Sequence, residues 1–547
     1  MLHRPALLLA LTTLCAVSSA QIAQPGRPAS ARTRFATEVP AVVLPRPDLD
    51  RLRAEDAATG NWPYRYGAVI PVAYSCQDAG VWEELPSGEL VWRLRLASPG
   101  AESLSVLFDR YEIPAGGELF LYDAAGRDVL GAFTAETRQP NGMLAVQPIA
   151  GDDVVIEYVQ PAGLTAQPVL RVGEVVHDYR GVLRQLDAQN PIALGGGCLV
   201  DVNCPAGDAY QDIKRSVMMV LAGGTLCSAG LLNNTAQDGT PYLLTANHCG
   251  SMVNVVAVFM YENSGCGPGG ASQSQTVSGS TFLAANGNFD SQLYQLSSPP
   301  PQSYSPFYAG WDRNTVQPAP AISISHPSGN PKKIARDNGA PQNSGRQWLV
   351  TWELGILQGG SSGSPLFNGA KRVIGPACCV SDFNCHTQFA FYGRFGGFWT
   401  AEHLEQWLDP LGSDPTAMEG MDPFQALAIP YFGSGQNLSV YTSTTPPKIA
   451  SNWIAAIDTS LLPINNTWII GRTAPSSGIF LAAGELLVSP ASPRLFRSVA
   501  PSIAGNSVHT NAIPPDPGLT GLVIYTQGLM LSPGIQVLTN GIELHLR

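Results

Sequence analysis

Gly360-Ser361-Ser362-Gly363-Ser364-Pro365 decides the reading of this chain, together with Thr245-Ala246-Asn247-His248-Cys249 upstream of it. A serine hydroxyl is a weak nucleophile until a base takes its proton, and imidazole is the side chain that does this near neutral pH. Ser362 is the candidate nucleophile and His248 the candidate base. Gly360 and Gly363 let the backbone turn sharply, so that the amides of Gly360 and Ser362 can point at one developing oxyanion. A carboxylate must fix the imidazole tautomer. Asp290 is chosen for this because it lies between the two at the head of the alternating strand up to Leu296. The order His, Asp, Ser is that of one established triad template. It excludes the α/β-hydrolase layout, which places the histidine after the serine. Taken singly, each motif is ordinary: a glycine-rich turn, a histidine beside a cysteine, a turn aspartate. Their order and spacing together carry the reading.

At 547 residues the chain is too long for one core and should hold about three or four units. Charged residues are scarce at 13%, while glycine (56) and proline (45) are plentiful, which suits turn-rich β structure. A net charge of -11 with no run of Lys or Arg argues against a nucleic-acid partner or an anionic membrane surface. No later segment is apolar for long enough to span a bilayer.

The first 20 residues have the form of an export signal. His3-Arg4 is followed by an apolar stretch from Ala6 to Val17 and by the small residues Ser18-Ser19-Ala20. Leu14 stands where a lipid attachment at Cys15 would need a small residue, so no lipid anchor is expected. Export leads to an oxidising compartment in which cysteines pair. Cys76 stands alone upstream, whereas Cys198, Cys204, Cys227, Cys249, Cys266, Cys378, Cys379 and Cys385 are concentrated in one stretch, the mark of a stapled domain. Spacing alone does not give their connectivity, although Cys227 on the strand before His248 is well placed to staple Cys249. Zinc-type spacing is absent, so no metal and no cofactor is expected.

Composition divides the rest. Residues 21–63, rich in Pro, Ala and Arg, read as a linker. Residues 64–194 read as a β-sandwich and connector, with short strands at Leu90–Leu96, Glu118–Tyr122 and Val154–Val159 separated by turns. Gly195-Gly196-Gly197 opens the cysteine-rich domain, 195–415, as an exposed segment suited to proteolytic processing. Ala401–Leu408 reads as a short helix ended by Pro410. Residues 421–547 read as a second all-β module without cysteine, whose histidines, His509 and His545, are expected to be packed or surface residues.

Cys198 to about Leu411 resembles the bacterial lysyl endopeptidases of the chymotrypsin fold. The resemblance is carried by Cys198-Leu-Val-Asp-Val-Asn-Cys204, Leu231-Leu-Asn-Asn-Thr235, Ala309-Gly-Trp-Asp-Arg313, Ser325-His-Pro327 and Trp407-Leu-Asp-Pro410, together with the two motifs above. It implies an all-β protein with a chymotrypsin-like double β-barrel between an N-terminal propeptide-like sandwich and the C-terminal module. It implies His248, Asp290 and Ser362 as the triad of a secreted serine endopeptidase acting on protein or peptide through an acyl-enzyme. It also implies the disulfides Cys198–Cys385, Cys204–Cys266 and Cys227–Cys249, and removal of the upstream sandwich on maturation.

The chain departs from that family in two places. Where the family has an aspartate heading D-x-Y-G-R to receive the substrate lysine, this chain has Ala390-Phe-Tyr-Gly-Arg394. Burying a lysine ammonium without a carboxylate is costly, so an apolar or small side chain is the expected substrate, with Asp382 the only acidic substitute nearby. Cys378-Cys379-Val380 replaces a histidine followed by glycines in the segment that pairs with the substrate backbone, so Ala390, Cys378, Cys379 and Val380 are the expected specificity pocket. The two extra cysteines either bridge each other or re-pair with Cys198 or Cys385. Ser361 stands where digestive proteases keep an aspartate for a new N-terminal amine, so propeptide removal is expected to act sterically.

The alternative from another class is a secreted binding or adhesion protein with a vestigial protease domain. For the C-terminal module, contact with a cell surface or a polysaccharide is left open. Asn233, Asn437 and Asn465 head glycosylation-type triplets.

Overall fold

A computed structural model of the chain describes residues 26–60, 63–183, 198–381, 388–516, 519 and 521–546. The export signal, the glycine triplet, Asp382 and Cys385 lie outside the described residues. The chain forms two compact units, one running to Pro423 and one from Phe424 to Arg547. No helix among the described residues is long and apolar enough to cross a membrane.

The first unit opens with a sandwich. One sheet runs in the order Ala41–Val43, Leu90–Ala97, Asp153–Gln160, Glu118–Asp123, Val129–Phe133. The other runs Ile149–Ala150, Ser103–Glu112, Val169–Asp178, Gly67–Ser75. Alternation along these strands sends Trp92, Leu94, Leu96, Val106, Phe108 and Val172 into the core between them. Cys76 is buried there as a thiol.

The reading of residues 21–63 as a linker is corrected in its described part. Ala41–Val43 pairs in parallel with Arg95–Ala97, and Leu49–Ala58 is an α-helix capped by Asp48, whose side chain accepts from the Arg51 N–H. The helix docks through Leu52, packed on Ala68 and Tyr179 with Leu49 beside it, and through charge. Buried Asp56 receives Arg65 at 2.7 Å, Arg180 at 2.6 Å and the Tyr179 hydroxyl at 2.7 Å.

The cysteine-rich part is built from two sheets. The first runs Thr276–Ser278, Val256–Val258, Val217–Ala222, Thr225–Leu232, Tyr242–Thr245, Ser291–Leu296, Ser280–Asn286. The second runs Val200–Asp201, Lys333–Asp337, Ala321–Ser325, Pro365–Phe367, Val373–Val380, Phe389–Gly393, Gln347–Thr351, Gln342–Ser344. Each has its own apolar cluster, around Leu231, Leu243 and Val255 in one and Trp348, Trp352 and Tyr392 in the other. A third cluster with Leu244, Leu293, Ile324 and Phe367 takes side chains from both, so the sheets pack on a shared core. These are the two halves of the expected chymotrypsin-like, all-β fold.

The expected helix over Ala401–Leu408 is instead two pieces, Phe395–Glu402 and Glu405–Leu408. They are separated by His403 in the left-handed region at φ 54°, so Leu404 and Leu408 both reach the core.

The sandwich meets the first of these sheets edge to edge. Tyr64–Arg65 pairs antiparallel with Thr225–Leu226, and the Tyr66 and Gly67 N–H groups donate to the Gly224 carbonyl at 2.9 and 3.1 Å. The Ser278 hydroxyl donates to the Ala145 carbonyl at 2.7 Å, and Tyr66, Val176, Leu221, Leu226 and Val256 share one apolar cluster.

The second unit packs a five-stranded sheet, centred on Val523–Ser532 and Asn466–Arg472, around Tyr441, Trp453, Ile457, Ile469 and Ile542. His509 is buried there between the hydroxyls of Thr467 and Ser498, at 2.8 and 2.9 Å. Burial pushes its pKa down to about 4, so it is a neutral packing residue near pH 7.

Candidate active site

The turn around Ser362 needs its glycines for two reasons. Gly360 and Gly363 have φ of +93° and +79°, which side chains rarely adopt. A Cβ on Gly363 would also lie 2.0 Å from Thr245 Oγ1 and 2.5 Å from the Ser228 carbonyl oxygen. Gly363 thereby lets the serine turn close directly on the strand that leads to His248. The turn is tied by Ser361 N–H to Gln358 O at 2.9 Å, Ser364 N–H to Ser361 O at 3.0 Å and Gly363 N–H to Ala377 O at 2.9 Å. Among the described residues the N–H groups of Gly360 and Ser362 donate to no protein acceptor. Those are the two amides expected at the oxyanion. The Ser362 side chain is buried, and its Oγ has no hydrogen-bond partner among the described residues.

His248 sits in the 3-10 turn Asn247–Cys249, just past the strand Tyr242–Thr245. Cys249 is bridged to Cys227, which fixes that turn to the neighbouring strand. Asp290 precedes the strand Ser291–Leu296 and is held at φ 44°, a conformation that aspartate tolerates better than most residues. Its Oδ2 lies 2.6 Å from His248 Nδ1, and its Oδ1 accepts the His248 backbone N–H at 2.9 Å. The Asn247 N–H adds a bond to the Asp290 carbonyl at 3.2 Å.

Ser228 ties these parts together. Its N–H donates to the Ser362 carbonyl at 2.8 Å, and its hydroxyl donates to the Gly360 carbonyl at 2.9 Å. Its own carbonyl accepts the Thr245 hydroxyl at 2.9 Å. Sequence reasoning missed Ser228, and nothing but its place after Cys227 signals it. Behind the turn, Ser361 is wholly buried with Ser325 Oγ at 3.0 Å, so a hydroxyl pair fills the place where a carboxylate would need a cation. Nearby His326 is also fully buried and donates from Nδ1 to the Asn330 carbonyl at 2.9 Å. Burial, aided by Lys332, pushes its pKa down to about 3.

Of the expected specificity residues, Ala390 is fully buried among Trp348, Val350, Trp352 and Tyr392. Val380 faces it on the neighbouring strand, and Cys379 pairs with Phe391. No carboxylate stands at position 390. Cys378 and Cys379 are both thiols, with their sulfurs 2.7 Å apart. Gln347 Nε2, also missed by sequence reasoning, lies 3.3 Å from Cys378 Sγ. Cys204 is bridged to Cys266. Cys198 is disulfide-bonded, and its expected partner Cys385 is outside the described residues.

A seryl hydroxyl, an imidazole with a carboxylate behind it and two backbone amides without a protein acceptor are the parts that acyl transfer uses, and the class they point to is that of serine proteases. Residues 192–388 match the lysyl endopeptidase C-terminal domain family, and the chain contains a lysyl endopeptidase-like serine protease domain. Solved structures similar to parts of the chain include an active-form protease from M. tuberculosis, at 16% identity over 37% of this chain and 83% of that one, TM-score 0.26. Others are the serine endoprotease from Yersinia pestis, at 12% identity over 62% and 96%, TM-score 0.27, and a Glu endopeptidase, at 13% over 35% and 91%, TM-score 0.27.

Proposed function

We propose that this chain is the precursor of an exported serine endopeptidase in which Ser362 is the nucleophile, His248 the general base and Asp290 the group that orients it. The observation that carries the reading is the double hold of Asp290 on His248, beside a serine turn locked to the same strand by Ser228. With Nδ1–H donated to Asp290, Nε2 is the basic nitrogen, and it takes the Ser362 proton as Oγ attacks the scissile carbonyl carbon. The Gly360 and Ser362 amides receive the oxyanion, each contributing about 3 kcal/mol to the transition state. The imidazolium then protonates the leaving amine, and a water repeats the sequence to release the acid.

The reading extends to specificity. Ala390 leaves the pocket region without a carboxylate, and the surrounding Trp348, Val380 and Tyr392 favour a small or apolar residue before the scissile bond. Profiling on a peptide library tests this. Cleavage after small or apolar residues is expected, and a strong lysine preference would overturn it.

The upstream sandwich acts in this reading as a propeptide. Tyr64–Arg65 is paired with Thr225–Leu226, the residues directly before Cys227 and Ser228. Activation then follows from removal of the sandwich, since buried Ser361 offers no carboxylate to a new amino terminus.

A further inference from the structure

The strand Val373–Val380 is not regular at its end. Ala377 is opposite Tyr392 and Cys379 opposite Phe391, so Cys378 is the extra residue of a β-bulge. In a regular strand neighbouring side chains point to opposite faces, which would hold two adjacent sulfurs apart. Here the bulge brings them to 2.7 Å, well inside van der Waals contact, and both side chains are partly exposed. The residue just before them is part of the nucleophile turn. Ala377 accepts from the Gly363 N–H at 2.9 Å and donates to the Ser364 carbonyl at 2.8 Å. On the other side Gln347 lies against Cys378, and Asp290 is near enough to act on its thiol.

From this arrangement we infer that Cys378 and Cys379 are a reversible disulfide modification site, closed by low-molecular-weight disulfides, that throttles the proposed endopeptidase. The inference rests on that functional reading for its effect on rate, not for the bridge itself. The thiolate of one cysteine attacks a disulfide R–S–S–R, forming a mixed disulfide and releasing the first RS⁻. The second thiolate then attacks the sulfur of that mixed disulfide, forming the Cys378–Cys379 bond and releasing the second RS⁻. The two thiol protons end on the two RSH, so the protein loses two electrons and the oxidant gains them.

Cys379 is the attacking group, because the hydrogen bond from Cys378 pulls its pKa below the ordinary thiol value. Cys378 is pushed the other way, by that same contact, by burial and by the Asp290 charge. Adjacent Cα atoms are about 3.8 Å apart across a trans peptide, less than the roughly 4.4–6.8 Å usual for a disulfide, so the bridge is strained and reopens with free thiol. Closing it twists the strand at the point where Ala377 holds Gly363 and Ser364, and it takes the thiol away from Asp290. Displacement of that kind is expected to slow acylation about tenfold.

The test treats the purified processed protein with oxidised, then reduced, glutathione. The mass of the peptide containing both cysteines and the rate of fluorophosphonate labelling at Ser362 are followed together. The expected result is loss of two hydrogens from that peptide, labelling slowed about tenfold, and recovery of both on reduction. C379S, whatever its basal rate, should never lose two hydrogens from that peptide. A bridge that leaves labelling unchanged overturns the proposal, as does a peptide that only retains glutathione or never changes mass. Bridge formation is read without reference to activity. A wild-type protein that bridges but labels in neither state contradicts the endopeptidase reading and overturns the coupling to it.

Discussion

Asp290 holds His248 through both carboxylate oxygens, Oδ2 to ring Nδ1 at 2.6 Å and Oδ1 to the backbone N–H at 2.9 Å. One oxygen fixes the tautomer and the other fixes the turn that carries the ring. Asp290→Asn keeps the shape but allows its amide to donate toward Nδ1, which favours the wrong tautomer. The expected result is a fall in kcat of about ten-thousandfold with an unchanged melting temperature. Peptide hydrolysis and thermal unfolding of the purified variant check both halves. A loss of less than tenfold would contradict the assigned role.

Gly363 is required by space as well as by φ. Gly363→Ala costs about 1–2 kcal/mol for the left-handed backbone alone. The Cβ also meets Thr245 Oγ1 at 2.0 Å, so the serine turn must withdraw from the His248 strand. Both the melting temperature and kcat/KM should fall. A variant with native stability and rate would show that the turn has slack the structure does not reveal.

Gly224 tests the propeptide reading. Its φ is +77°, and a Cβ there would lie 2.4 Å from the Gly67 carbonyl oxygen, backbone against backbone. Gly224→Ala should loosen the seating of Tyr64–Gly67 and make the unprocessed chain react faster with a fluorophosphonate. Limited proteolysis between the sandwich and the protease domain should quicken in parallel. Equal reactivity of variant and wild-type precursors would count against steric closure.

Acid should destabilise the protease domain through His326. Its ring stacks on Tyr261 with centroids 5.7 Å apart, and Lys332 and Lys333 are the charged groups that bear on it. Folding lowers its pKa from 6.5 to about 3, so between those values the unfolded chain binds more protons. Stability is therefore fully present above pH 6.5 and falls as pH drops through the window, by about 1.4 kcal/mol per pH unit for this group. Urea unfolding from pH 7.5 to 4 measures the slope, which His326→Gln should reduce. An unchanged slope would mean that His326 does not drive it.

Much of this was legible in the sequence where chemistry forces a local pattern. The glycines around Ser362 and the histidine next to a cysteine are local, and Gly363 lies against Thr245 on the strand that leads to His248. Strands such as Leu90–Ala97 and Glu118–Asp123 follow from alternation against turns. The docked helix Leu49–Ala58 was hidden because its apolar contact is small, Leu52 with Leu49, and buried Asp56 and its arginines add to the hold. The break at His403 was hidden because a left-handed residue leaves no trace in hydrophobic spacing. Ser228 and Gln347 gain their meaning from residues distant in the sequence, and no local pattern announces either. The bulge at Cys378 is likewise a register event between strands, invisible in Cys378-Cys379-Val380 itself.

The most direct measurement is mass-spectrometric mapping of a fluorophosphonate adduct on the processed protein. One adduct is expected, on Ser362, absent from Ser362→Ala and strongly slowed in Asp290→Asn. A properly folded, processed protein that forms no adduct at Ser362, or forms it at the same rate without the Asp290 carboxylate, would contradict it.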